Sequence, residues 1–80
     1  MGDAYNTKAV ILSTKGEYDE AYALLEEAEA YLPIHPGIRL NMAIVRYMQG
    51  RRHEADVIYR QVIEMDDRYE GFLEFLQEKE

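Results

Sequence analysis

His53 and Glu54 stand side by side in the way that opens a metalloprotease helix, where a second histidine four residues after the first completes a metal pair on one helix face. Val57 occupies that position, so the pair is incomplete. The other histidine, His35, precedes Pro36 between two turn-forming residues and is expected to be exposed. The chain has no cysteine, which removes thiolate nucleophiles, cysteine-bound zinc and disulfides together. Carboxylates are plentiful on the helix surfaces, yet none is flanked by the apolar residues that would raise one of a pair for acid catalysis. The glycine-rich phosphate loops GxGxxG and GxxxxGK[ST] and the nucleophile elbow GxSxG are absent. The residues therefore predict no catalytic, metal or cofactor site and leave binding as the class of function. An accessory role beside a partner chain that holds the chemistry is the remote alternative.

Eighty residues make one domain, below the usual domain size. With 48% hydrophobic residues a core can form. At this size it supplies only ~3–5 kcal/mol without a staple. No apolar run approaches the ~18 residues of a membrane span, and the N-terminus lacks a signal peptide's basic and apolar stretches, so a cytoplasmic protein is expected. A net charge of −7 disfavours non-specific binding to nucleic acid or an anionic membrane, which leaves protein partners. The charge is uneven. Residues 2–35 carry seven acids and two bases, residues 36–69 five acids and six bases, and residues 70–80 four acids and one base. All six arginines fall in the middle stretch, where they either form a basic spot for an acidic partner or, as is expected here, pair with Glu26, Glu27 or Glu29.

Glycine and proline at positions 2, 16, 33, 36, 37, 50 and 71 cut the chain into helix-length segments. Ala21, Leu24, Leu25, Ala28 and Leu32 are spaced as one helix face, opposite Glu20, Glu26, Glu27 and Glu29. Ala55, Ile58, Tyr59 and Val62 repeat that spacing. The last stretch sets Phe72, Phe75 and Leu76 against Glu70, Glu74 and Glu78. The pattern predicts an all-α fold of about five helices, at 3–15, 18–32, 36–49, 52–66 and 69–79, with no strand.

Laying residues 2–35 over 36–69 pairs Ala9 with Ala43, Gly16 with Gly50, Glu20 with Glu54 and Ala21 with Ala55. The glycines fall where a first helix ends, because positive φ costs glycine nothing. The alanines fall where two antiparallel helices need to approach closely. With the run Gly16-Glu17-Tyr18-Asp19-Glu20-Ala21, together with Tyr5, Ala9, Leu25, Ala28 and Pro33, the chain resembles the tetratricopeptide repeat family. Met42, Ala43, Gly50, Glu54, Ala55 and Tyr59 carry the second copy, while Lys8, Arg39, Arg46 and Asp67 depart from the family's pattern. The resemblance implies a right-handed α-solenoid of antiparallel helical hairpins, with repeats at 2–35 and 36–69 and a C-terminal capping helix at 70–80.

The segment from Ile38 to Met48 is apolar on two sides: Leu40, Ile44, Tyr47 and Met48 on one, Ile38, Met42 and Val45 on the other. A surface helix buries one stripe. The second must cover or await something. In tetratricopeptide proteins the first helix of each unit lines a concave groove. The resemblance therefore implies a partner-binding groove formed by Asn6, Val10, Ser13, Leu40, Asn41, Ile44, Tyr47, Met48 and Phe75, fit for an amphipathic helix or an extended apolar segment. A homodimer joined through the same stripe, or the missing repeats of a longer array, is the alternative cover. Only Asn41 matches the clamp with which some members hold a C-terminal carboxylate, so no such clamp is expected.

Overall fold

In a computed structural model the described residues are 2–69 and 71, with side chains from Ala4 onward. They form α1 (Gly2–Thr14), α2 (Tyr18–Tyr31), α3 (Pro36–Met48) and α4 (Arg52–Met65), closed by a 3-10 turn at Asp67–Tyr69. No strand occurs among the described residues. Each helix falls within one residue of its expected span. The fifth expected helix, 69–79, lies outside the described residues except for Tyr69, which ends the 3-10 turn, and Gly71.

The 34-residue repeat is legible in the backbone hydrogen bonds. At the end of α1, Gly16 N–H donates to Ser13 O and Glu17 N–H to Leu12 O; at the end of α3, Gly50 N–H donates to Tyr47 O and Arg51 N–H to Arg46 O. This pair of bonds closes a helix through a left-handed residue and satisfies carbonyls that would otherwise lack partners. Gly16 and Gly50 supply that residue, with φ of 82° and 83°. The second helix of each unit then starts and stops alike: Ala21 N–H and Ala55 N–H reach the carbonyls of Glu17 and Arg51, and Leu32 N–H and Asp66 N–H those of Ala28 and Val62.

Two apolar clusters hold the hairpins. Ala9, Ala21, Leu25, Ala28, Ile38, Met42 and Val45 form the first, which joins α1, α2 and one stripe of α3. Leu40, Ala43, Tyr59 and Val62 form the second, between α3 and α4, with Ile44, Tyr47 and Tyr69 packed on its edge. Half-buried Ile58 touches both. The four alanines expected at the close approaches, Ala9, Ala21, Ala43 and Ala55, are all 0–1% exposed. Helix α3 therefore sits between the first hairpin and α4, and both of its stripes have neighbours. The stripe expected to cover or await something is covered in part within the chain: Leu40 is core, and Ile44 and Tyr47 are half-buried against the second cluster.

His35 is also not where exposure would put it. It is half-buried, and its Nδ1 accepts the N–H of Ile38 at 3.3 Å, capping α3 ahead of Pro36. A Cβ at Gly37 would lie 3.0 Å from the imidazole Cε1, so a glycine there leaves room for the ring to fold back over the helix start.

The arginines at positions where the family carries aromatics join elements by charge and stacking. Arg39 Nε lies 2.6 Å from Glu29 Oε2 of α2, an oxygen shut off from water, and its NH1 donates to Gln61 Oε1 of α4 at 2.7 Å. Arg46 lays its guanidinium over the Tyr22 ring, 3.5 Å from the centroid, and donates to Gln49 Oε1. Of the acids expected to pair with arginine, Glu29 does so. Arg46 and Arg51 instead face Glu54, at 3.4 and 3.5 Å, and Arg60 pairs with Asp56.

Asp66 ends α4 and is gripped by Arg68, whose side-chain and backbone hydrogen bonds hold the carboxyl below the ordinary carboxylate range. A carboxyl lowered on folding adds stability above its unfolded value, and that stability is lost as pH falls through the lowered folded value. The turn also seats Tyr69, whose carbonyl accepts the Tyr59 hydroxyl at 2.7 Å. Acidification below pH ~4 is therefore expected to loosen this turn, and Asp66→Asn should remove that step. The measurement is the amide exchange of Tyr69 against pH; a rate that follows the same acid profile in both chains contradicts the assignment.

Candidate functional site

The first helices of the two units, α1 and α3, lie beside one another and leave a depression of about 150 Å³ lined by Ala9, Val10, Ser13, Leu25, Asn41, Ile44 and Val45. Small Ala9 leaves the space, and Leu25 and Val45 floor it from the first cluster. Asn41 Nδ2 donates to Asn6 Oδ1 at 2.9 Å and ties the two walls together. Ser13 spends its hydroxyl proton on Val10 O, the carbonyl one turn back, at 2.7 Å, and keeps an oxygen that can accept. Each asparagine amide has a second half that makes no hydrogen bond among the described residues, a donor on Asn6 and an acceptor on Asn41.

Helix α3 carries the surface onward. Met48, four residues after Ile44 and on the same face, is 51% exposed, and Val10 across the depression is 43% exposed. Tyr47 is half-buried, with the Arg52 guanidinium 5.5 Å from its ring centroid. No charged residue lines the depression itself. Its volume is well under the ~300–1,000 Å³ of small-molecule pockets, so it is a notch for a single aliphatic side chain and not a substrate chamber.

Of the nine expected groove residues the structure brings together Asn6, Val10, Ser13, Asn41 and Ile44, with Met48 one turn beyond. Tyr47 packs on the second cluster and does not line the depression. Leu40 is 6% exposed and committed to the second cluster, so it offers a partner little surface. Phe75 lies outside the described residues. By spacing, Leu25 lies on the apolar face of α2, Val45 on one stripe of α3 and Ala9 at an expected close approach. That a core residue also floors the notch follows from how α1 and α3 lie against each other, and spacing along one helix carries no signal for it.

Two further depressions among the described residues do not resemble a chemical site. One, about 440 Å³, opens widely between the hairpin turns around Asp19, which already accepts Gln49 Nε2 at 2.7 Å. Another, about 270 Å³, holds His53 and Glu54 beside Val57, with Glu54 facing Arg46 and Arg51. Among the described residues no three of His, Cys, Asp and Glu cluster as a metal site would require, and no helix is long and apolar enough to cross a membrane.

A family model described as tetratricopeptide repeat matches residues 12–72. No curated protein and no solved structure matches the chain.

Proposed function

Because the chain belongs to the tetratricopeptide repeat family, whose helical-hairpin units serve protein–protein interaction, we propose that it binds a partner segment along the α1–α3 face. The observation that carries the reading is the notch itself: an uncharged, partly apolar depression lined by exposed Val10 and by Asn41, whose amide is half-used along with that of its partner Asn6, with exposed Met48 one turn further along α3. An apolar anchor side chain fits the notch. Burying one is worth about 1.5–3 kcal/mol. The free amide halves suit a segment with main-chain N–H and C=O groups to offer, which favours an extended partner over a helix that has spent its own.

Val10→Ser with Met48→Ser is the sharpest substitution, since both side chains are exposed and neither belongs to a core cluster. Ile44 is a poorer choice because it also packs on the second cluster. A random peptide pool displayed on phage is expected to yield binders to the wild-type chain. Their affinity should fall about tenfold or more with the double change, a loss of ~1.4 kcal/mol, and stay unchanged with Val57→Ser on the α2–α4 side. A pool that yields no binder, or binders indifferent to Val10 and Met48, contradicts the reading.

A further inference from the structure

The second hairpin seats on the first through Ile38, Met42 and Val45 of α3 and Ile58 of α4, aided by Gln49, which reaches Asp19. The repeat of 34 residues maps the α3 stripe onto Ala4, Lys8 and Ile11 of α1, Gln49 onto Lys15, and Ile58 onto Leu24 of α2. In the first hairpin this surface has no hairpin seated on it: Ile11 is 50% exposed, and Lys8, Lys15, Glu20 and Glu27 are exposed. We infer that this outer face of the first hairpin is a self-association surface, and that its occupant is a second copy of this chain related by a two-fold axis running along the helices.

Charge and register choose that occupant. Lys8 and Lys15 lie seven residues apart on α1 and just beyond its end, with Ile11 between them; Glu20 and Glu27 lie seven apart on α2 with Leu24 between them, half-buried at the edge where the core face of α2 meets this outer one. Seven residues are about two helical turns, so each trio shares one face. The two helices run antiparallel on either side of the turn at residues 15–17, and the ring contact between them places residues whose numbers add to about 35 near the same height. The Tyr5–Tyr31 ring stack, centroids 5.7 Å apart, shows that register within the hairpin. A two-fold axis parallel to the helices lays the α1 of one copy over the α2 of the other without changing height. It sets Lys15 level with Glu20 of the second copy, Ile11 with its Leu24 and Lys8 with its Glu27, and each contact occurs twice. Opposite charges flank an apolar centre on both sides of the axis. A face two helices wide and ~20 Å long is smaller than the ~800 Å² per partner of a standard interface, so the dimer is weak and its charge pairs are salt-sensitive.

Sedimentation equilibrium over rising protein concentration tests this. At ~0.01 M salt the mass should climb from the 9.4 kDa of the monomer toward twice that, and at ~1 M salt, where the screening length shrinks to ~3 Å, it should stay monomeric. Lys8→Glu with Lys15→Glu, and separately Glu20→Lys with Glu27→Lys, should each stay monomeric at low salt while keeping the wild-type helical circular dichroism. An equimolar mixture of the two should regain the dimer mass, because reversing both sides restores every pair. Should a reversed chain fold poorly, Ile11→Ser supplies the same test from the apolar centre. A wild-type chain monomeric at every concentration overturns the inference, as does a dimer that survives both reversals, or a folded pair of variants that fails to recombine. A dimer broken only by Val10→Ser with Met48→Ser places self-association in the α1–α3 groove and also overturns it, whereas peptide binding there is read independently by the display experiment.

Discussion

Leu25→Ala is expected to lower the melting temperature by ~8 °C or more and to leave a chain partly unfolded at 25 °C. Leu25 is 1% exposed and touches the elements of the first cluster, where α1, α2 and α3 meet. Truncating a buried leucine costs about 2–5 kcal/mol, the transfer of its methyl groups plus the cavity left behind. A core of this size holds only ~3–5 kcal/mol in all. Each kcal/mol shifts the midpoint of a domain this small by ~4–8 °C. Leu25 also floors the α1–α3 notch, so peptide binding should fall with folding. Thermal circular dichroism is the measurement; a midpoint within ~2 °C of wild type would mean that the first cluster is not what joins the hairpins.

Overpacking gives the second large effect. Ala21 and Ala55 are both 0% exposed and occupy equivalent places in the two units, where a larger side chain has no room without moving a helix. Ala21→Leu and Ala55→Leu should each destabilise by ~1–3 kcal/mol in urea unfolding. Ala23→Leu and Ala30→Leu, at exposed positions of α2, should stay within ~0.5 kcal/mol. For Ala21 the contrast with these controls depends on register alone, since residue type and helix are shared. Similar losses at all of these positions would contradict the repeat alignment.

What the sequence made legible is what short-range chemistry decides. The helices end where Gly16 and Gly50 take positive φ, and the alanines spaced by 34 residues mark the close approaches, because both needs recur in each unit whatever the rest of the chain does. Less legible was anything that depends on two units meeting. Leu40 belongs by its spacing to an exposed stripe, yet α4 brings Tyr59 and Val62 against it. His35 carries no signal beyond preceding Pro36, and only the path of the chain into α3 turns its imidazole onto Ile38 N–H. Arg39 and Arg46 read as departures from an aromatic pattern; the side chains that receive them, Glu29, Gln61 and Tyr22, come from other helices. Asn6 and Asn41 fall on the α1–α3 face that the family resemblance implies, whereas the hydrogen bond between them spans 35 positions and needs the two hairpins stacked.

The central claim is that partners are held on the α1–α3 face. Its most direct test is an amide and methyl NMR titration of the whole chain with the strongest peptide from the display selection, mapped residue by residue. Shifts should concentrate at Asn6, Val10, Ser13, Asn41, Ile44 and Met48, with the side-chain amides of Asn6 and Asn41 moving together because one hydrogen bond joins them. Shifts centred instead on Tyr22, His53 and Val57, or on Ile34 and Met65, would place the partner on another face and contradict the account.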